Sequence, residues 1–325
     1  MGRLRAGATP PPDPPRRGRP PAAPRAAPLS LPPHGRDPVD RLRQRLESKR
    51  RRLDDLLAAI VAGAPTPDEL HRAHRDLRRI RIDGALWAGL VPRGRAAGYP
   101  ATDRTVRDLG RAVGSARNLD VAVDLLTPPG ARHPAVGSLS PELAPAVRRL
   151  RGYARTERRR LARLVTGGLR AAFLDGIERP LRAALPPAAA ERLAERLEET
   201  TTVRIARLER ALARAYRRPT VERLHAVRIE LRAVRYLDQL RVEVLGATHL
   251  DGLGPFARLQ PELGRLNDVD VARRLAKRLP AGPARGRVRT LLGARRKALR
   301  RRIVRTLGEK PVRRAFEALL DSSPG

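Results

Sequence analysis

The stretch TPDELHRAHRDLRRIRIDGALW, residues 66–87, combines the apolar spacing of an amphipathic helix with a row of cationic side chains. On a helical projection of 100° per residue, His74, Arg78 and Arg81 fall within about 80° of His71. The apolar stripe beside this row consists of Leu70, Ala73, Leu77, Ile80 and Trp87. Because a merely solvated face mixes positive and negative charges, the pattern predicts a helix that packs on one side and meets an anion on the other.

The same pattern returns in TVERLHAVRIELRAVRYLDQL, residues 220–240. The cationic row there is His225, Arg228, Arg232 and Arg235. Two further pairs of segments follow in the same order: LGRAVGSARNLDVAVDLL resembles LQPELGRLNDVDVARRLA, and ERRRLARLVTGGLRAAFLDGI resembles LRRRIVRTLGEKPVRRAFEAL. Similarity kept in order predicts an internal duplication, with a first half at about residues 38–184 and a second half at about 187–321.

Apolar residues three and four positions apart, with little β-branched alternation, predict an all-α fold in which each half is a bundle of about four helices. The predicted helices are 38–62, 67–91, 103–126, 141–166, 168–184, 187–217, 221–245, 253–279 in two pieces, 283–308 and 310–321. Asp37 before a proline, and Thr66 with Glu69 as a capping box, predict the first two helix starts, and Ser140-Pro141 predicts a later one. The Pro- and Arg-rich residues 1–37 cannot build a core, which predicts a disordered basic tail.

The chain is strongly basic, with 69 Lys+Arg against 34 Asp+Glu and a formal net charge of +35 over 325 residues. Such a charge attracts polyanions, and its carrier is almost always arginine, whose planar fork pairs two-pronged with phosphate. The absence of cysteine excludes disulfide frameworks, thiolate metal sites and cysteine nucleophiles. No apolar run resembles a signal peptide or spans a bilayer, so we expect a cytoplasmic protein without membrane contact.

Catalytic and metal-binding motifs are not apparent in the sequence. There is no P-loop, no Gly-rich phosphate loop and no acidic cluster suited to Mg²⁺, so we predict no enzyme, cofactor or metal. His71 and His74 lack a third ligand for a metal. Asp120 and Asp270, each expected after a small loop, are interpreted as structural side chains that cap a helix or tie down the basic helix.

The paired motifs resemble the CHAD domain, the conserved histidine α-helical domain, over about residues 38–321. The positions that match its pattern are His71, Arg78, Arg79 and Arg81 in the first half, and His225, Arg228, Arg232 and Arg235, with Tyr236 and LQPELGRLNDVDV, in the second. His74 stands where the family's first half has arginine, and Asn118 where it has aspartate. The resemblance implies two pseudo-symmetric four-helix bundles with a basic groove between them that binds inorganic polyphosphate, often at polyphosphate granules.

We therefore predict non-enzymatic polyphosphate binding. The predicted binding residues are His71, His74, Arg75, Arg78, Arg79, Arg81, His225, Arg228, Arg232 and Arg235. Nonspecific nucleic-acid binding competes most closely with this prediction, although aromatic residues, on which single strands stack, make up only 2% of the chain. A phosphate-ester or polyphosphate-processing enzyme would use histidine in phosphoryl transfer, and a scaffold protein would use its histidines only for packing. The oligomeric state is not predicted.

Overall fold

The computed structural model describes residues 37–63, 65–92, 98–127 and 140–321. The predicted tail, residues 1–37, lies outside them apart from Asp37. The helices are α1 (Pro38–Val61), α2 (Pro67–Ala88), α3 (Tyr99–Leu126), α4 (Ala144–Leu164), α5 (Arg170–Leu181), α6 (Ala189–Arg217), α7 (Val221–Leu240), α8 (Phe256–Ala276), α9 (Pro283–Gly308) and α10 (Lys310–Asp321). Since these described ranges contain helices and no strand, the all-α prediction is confirmed.

The first two helix starts are formed by the predicted caps. The Asp37 carboxylate accepts a hydrogen bond from the amide of Val39 at 3.0 Å. At the start of α2 the amide of Glu69 donates to Thr66 Oγ1 at 3.2 Å, while the Thr66 amide donates to Glu69 Oε2 at 2.7 Å. These reciprocal bonds satisfy amides that the first helical turn leaves open, and they set the register in which His71 follows one turn later.

Three predicted boundaries are wrong, in each case at a proline. The helix expected from residue 103 begins at Tyr99, with Pro100 in its first turn. The helix expected from Pro141 begins at Ala144, since Pro145 rather than Pro141 occupies its first turn. The segment expected as two pieces is the single helix α8, which accommodates the exposed Pro261 in its second turn. A proline this close to a helix start removes few internal hydrogen bonds, so the helix is not interrupted there.

Three hydrophobic cores hold the helices together. One is built mainly from α1, α2, α3 and α5 and includes Leu193 and Leu197 of α6. A second joins α7, α8, α9 and α10 and includes Ile205 and Leu208 of the same α6. In the third, the end of α3 and the start of α4 pack against α8 and α9. α6 therefore belongs to both large cores, and the third core joins the halves; the duplication itself stays a prediction.

A buried polar network also crosses between the halves. Lys49 of α1 donates from Nζ to Asp83 of α2, and to the hydroxyl of Tyr236 of α7 at 2.9 Å. The Tyr236 hydroxyl donates in turn to the other carboxylate oxygen of Asp83. All three residues are buried. Arg45 of α1 joins them, since it donates to the Tyr236 hydroxyl and pairs with Asp83. Because buried polar groups are costly when unpaired, the network fixes how α1, α2 and α7 meet.

Candidate polyanion-binding site

The candidate site lies where α3 packs against α8. α2 packs beside α3 and α7 beside α8, so the two histidine-bearing helices flank this contact. Gly114 lets α2 and α3 approach closely, because a Cβ at that position would stand 3.4 Å from Cε1 of His74. This arrangement brings the cationic rows of α2 and α7 together, although they are far apart in the sequence.

The two rows meet around one arginine of α3. Arg117 donates from Nε to Nδ1 of His71 at 3.3 Å, and its Nη1 lies 3.5 Å from Oδ1 of Asp268 on α8. Its positive charge also helps to lower the pKa of Arg78 of α2 and that of Arg228 of α7. We call this group the central cluster, and it consists of His71, His74, Arg78, Arg117, Arg228, Arg232 and Asp268.

Burial and mutual repulsion lower the pKa values of the arginines in the central cluster. Burial, with the nearby charges of Arg232 and Arg228, lowers the pKa of Arg78 to about 9. Burial and the same kind of repulsion lower the pKa of Arg232 to about 10, and burial lowers that of Arg228. The negative charge of Asp268 partly offsets this lowering of the pKa for Arg78 and Arg228. Half-buried cations with so little compensating charge indicate a site whose electrostatics improve when an anion enters.

The cluster also leaves polar atoms without a partner. Arg232 Nη1 and His74 Nδ1 are buried atoms for which the described part of the chain supplies no hydrogen-bond partner. Such atoms are uncommon in native proteins, because an unpaired buried donor or acceptor costs about 1–3 kcal/mol. Both lie among cations, so a phosphate oxygen is a suitable partner for the arginine nitrogen.

The three histidines are neutral at pH 7 in the free protein. Burial, with Arg78 and Arg117 nearby, lowers the pKa of His74 to about 3, so it does not supply the charge of the arginine that the family has at this position. Burial and neighbouring arginines also lower the pKa of His71 and of His225. A bound polyanion would reverse the electrostatic part of these shifts and favour the imidazolium, which donates from both nitrogens.

The remaining predicted binding residues lie around the cluster rather than in it. Arg81 pairs with Asp103 at 2.8 Å, and Arg235 donates to the amide oxygen of Gln260. The guanidinium of Arg79 lies 5.3 Å from the ring centroid of Tyr236 and so borders the buried network. Arg75 is exposed on α2, one turn beyond His71.

Two open cavities adjoin the central cluster. The first-half cavity, about 590 Å³, lies between α2 and α3; its basic lining residues are His74, Arg78, Arg81, Arg107 and Arg111. The second-half cavity, about 670 Å³, lies between α7, α8 and α9; its basic lining residues are His225, Arg273, Arg274, Lys277, Arg285, Arg289 and Arg296. Neither cavity has an aromatic side chain in its lining, which leaves arginine and lysine as the groups that would hold a ligand.

Asp120 and Asp270 tie neighbouring helices together. Asp120 accepts from Arg158 of α4 at 2.7 Å, and Asp270 lies 2.8 Å from Nε of Arg296 on α9. The loops expected before them are absent, since α3 and α8 run through these positions without a break. Their contacts fit the predicted structural role, but the helices that they fix are α4 and α9 rather than the cationic helices.

Arg117 and Asp268 are the members of the central cluster that sequence reasoning missed. Arg117 matches Asn267 in the predicted repeat, so a search for cations shared by both halves cannot find it. Asp268 stands out in the sequence only as the equivalent of Asn118. The one signal for both is their place inside the second repeated motif, where Arg117 follows Gly114 by three residues and Asp268 follows Gly264 by four. Within the described ranges, His, Asp and Glu side chains form no group suited to holding a metal ion.

A family model for the CHAD domain matches residues 44–277, which is most of the chain. The chain belongs to the CHAD domain family. The resemblance seen in the sequence is thereby confirmed. Two solved structures are similar in fold: the CHAD domain from the plant Ricinus communis, with a TM-score of 0.54, 20% identity and coverage of 94% of this chain and 99% of that one, and PptA from Streptomyces chartreusis, with a TM-score of 0.57, 19% identity and coverage of 88% and 100%. A search of curated proteins gave no match.

Proposed function

We propose that this CHAD domain binds inorganic polyphosphate without turning it over, with the central cluster as its main contact. The observation that carries the proposal is the meeting of Arg78, Arg228 and Arg232 around Arg117, half-buried and opposed by the single carboxylate of Asp268. Arginine pairs with phosphate through two parallel hydrogen bonds, and each such charge-assisted contact is stronger than a neutral one. The family resemblance supplies the substrate class.

A narrow linear polyanion suits the site better than a nucleic acid does. The cluster is partly enclosed by helices, and neither adjoining cavity offers an aromatic platform on which a base could stack. Polyphosphate has no bases to stack, and each of its repeating units is a charged phosphate. The net charge of +35 still favours nonspecific nucleic-acid binding at low salt, so RNA is the appropriate competitor in a test.

We assign the histidines of the site to binding and not to phosphoryl transfer. His71 accepts a hydrogen bond from Arg117, and the lowered pKa of all three histidines makes each a poor general acid at pH 7. Incubation with long-chain polyphosphate, with and without Mg²⁺, followed by measurement of released orthophosphate, tests this assignment. Release above the level of the Arg228→Gln, Arg232→Gln variant would contradict it.

We also propose that the protein acts in the cytoplasm, with access to polyphosphate granules. In the described part of the chain, no helix has the length and apolarity needed to cross a membrane. Fluorescent fusion of the whole chain, compared with the variant lacking Arg228 and Arg232, would show whether granule association depends on the site. Granule association that the variant retains would locate the contact elsewhere.

Thermal unfolding in the presence of competing anions tests the proposed ligand. A ligand that binds only the folded protein stabilises it by about 2.7 kcal/mol at 100 times Kd, so long-chain polyphosphate should raise the Tm by several degrees. Orthophosphate at equal total phosphate should do little, because it lacks linked multivalency. An equal shift with orthophosphate, or displacement of polyphosphate by RNA of the same total charge, would overturn the proposal.

A further inference from the structure

We propose that the bound polyphosphate follows one asymmetric path: from the first-half cavity, through the central cluster, into the second-half cavity. The inference rests on the proposed function and specifies its geometry. It assigns ligand contacts to residues outside both cationic rows: Arg107 and Arg111 at one end, and Arg274, Lys277 and Arg289 at the other.

The central cluster shares Arg78 with the first-half cavity, and on the other side His225 lies between the cluster and the second-half cavity. Arg78 lines the first-half cavity and is also a member of the central cluster, where the charges of Arg228 and Arg232 act on it. His225 lines the second-half cavity, and the charges of the same two arginines act on it from the cluster side. A phosphate chain can therefore pass from one cavity to the other without leaving basic side chains.

The outer part of the second-half cavity holds cations that the protein itself leaves uncompensated. Arg274, Lys277 and Arg289 are exposed, and no carboxylate in the described residues pairs with any of them. Of the two acidic residues in the lining, Asp270 is already paired with Arg296, and Glu222 lies at the first turn of α7. Free cations on two helices around one concave surface are suited to a multiply charged ligand.

The predicted repeat shows that these contacts exist once and not twice. Aligning Gly114 with Gly264 places Asp124 opposite Arg274 and Thr127 opposite Lys277. The same alignment places Ala257 and Pro261 opposite the cations of the first-half cavity, Arg107 and Arg111. Arg107, Arg111, Arg274 and Lys277 therefore have no cationic counterpart in the other half, so these cavity contacts are asymmetric.

A chemical footprint tests the second-half end of this path. The chain has four lysines, of which Lys49 is buried, while Lys277, Lys297 and Lys310 are exposed. Of these four, Lys277 alone lines one of the two cavities. The full chain is treated with an amine-reactive reagent, with no ligand, with saturating triphosphate or with saturating long-chain polyphosphate, and modification at each lysine is measured by mass spectrometry.

Long-chain polyphosphate should protect Lys277 at least fivefold more than Lys297 and Lys310. Triphosphate, with only three phosphates, should protect Lys277 less. Equal protection of the three exposed lysines would show a nonspecific coat and overturn the path. So would no protection of Lys277 while binding is observed by calorimetry in the same buffer. If calorimetry shows no binding of polyphosphate at all, the proposed function fails and not merely the path.

A charge-matched pair of variants gives a second readout. Arg274→Gln with Arg289→Gln should weaken binding of long-chain polyphosphate about tenfold, and binding of triphosphate less than twofold, at fixed ionic strength. Arg301→Gln with Arg305→Gln removes the same charge from exposed positions of α9 outside both cavities and should change either affinity less than twofold. Equal losses in the two variants would mean that only net charge matters and would overturn the path.

Discussion

The cationic rows of α2 and α7 occupy matching places in the predicted repeat, yet their surroundings differ. On α2, His74 is buried and neutral, and Arg81 is paired with Asp103. On α7, Arg228 takes the place of His74 and stays a cation, and Arg235 meets the neutral amide of Gln260. The carboxylate whose charge favours the cationic form of Arg228 is that of Asp268, which also lies near Arg117 of the first half.

The difference indicates a division of labour. On α7, more of the row consists of cations without a carboxylate partner. On α2, fewer side chains remain available to a ligand, because His74 is neutral and Arg81 is already paired. Two copies of a motif can therefore differ in how strongly they bind a ligand, because different residues pack against each copy.

The largest expected effect concerns a position at which the two helices do not match at all. Asp83 of α2 corresponds to Leu237 of α7 and forms the centre of the buried network with Lys49 and Tyr236. Asp83→Asn should lower the free energy of unfolding by about 3–5 kcal/mol, because it leaves a buried ammonium without its counter-charge. Asp103→Asn, which breaks the part-exposed pair with Arg81, should cost less than about 1 kcal/mol. Urea unfolding of both variants measures the difference, and similar losses would refute it.

The next effect compares the two rows as ligand contacts. Arg228→Gln with Arg232→Gln should weaken polyphosphate binding about 100-fold, which is about 2.8 kcal/mol, because Arg228 shares the one carboxylate of Asp268 with Arg117 and no carboxylate offsets the charge of Arg232. Arg78→Gln with Arg81→Gln should weaken it only about tenfold, since Arg81 is already paired. Calorimetric titration at one ionic strength separates the two outcomes. Equal losses would mean that the ion pair of Arg81 opens on binding and that the rows are equivalent after all.

Acid stability should reveal the neutral histidine of α2, for which α7 has no titrating equivalent. The pKa of His74 is lowered to about 3 by burial, while its value in the unfolded chain is about 6.5. Between these values the unfolded state binds more protons, so stability falls as pH falls, by about 2 kcal/mol at pH 5. His74→Gln should lose correspondingly less stability between pH 7 and pH 5. A variant with the pH profile of the wild type would show that His74 is protonated inside the fold.

The smallest effect concerns the paired glycines of α3 and α8. A Cβ at Gly264 would meet nothing within 4 Å, whereas one at Gly114 would meet the His74 ring at 3.4 Å. Gly264→Ala should therefore stabilise the protein by about 0.5–1 kcal/mol through helix propensity alone, and Gly114→Ala should gain less. The two Tm values measure this difference, and a larger gain at Gly114 would contradict the close packing of α2 on α3.

Local patterns in the sequence predict the helices well, because caps and apolar spacing act within a few residues. Asp37 and Thr66 cap α1 and α2, as their sequence context predicts. The glycine pair Gly167-Gly168 falls at the predicted break between two helices, where Gly168 adopts a φ of 97°. Three predictions at helix boundaries are wrong because Pro100 and Pro145 occupy the first turns of their helices and Pro261 is tolerated in the second turn of α8.

The composition of the central cluster could be predicted only in part. The rows of α2 and α7 follow from helical spacing, but their meeting depends on tertiary packing of α3 against α8. Arg117 escapes any argument from repetition because its counterpart is Asn267. The pairing of Lys49 and Asp83 with Tyr236 joins residues far apart in the chain, and no local pattern indicates it.

α6 has a consequence for how the molecule unfolds. Its first turns contribute Leu193 and Leu197 to one large core, and its later turns contribute Ile205 and Leu208 to the other. Opening either core exposes one end of a rigid helix whose other end is still embedded, so the two regions are thermodynamically coupled. We expect a single heat-absorption peak in calorimetry, with the van't Hoff enthalpy close to the calorimetric one. A protein assembled from similar halves would then melt as one cooperative unit.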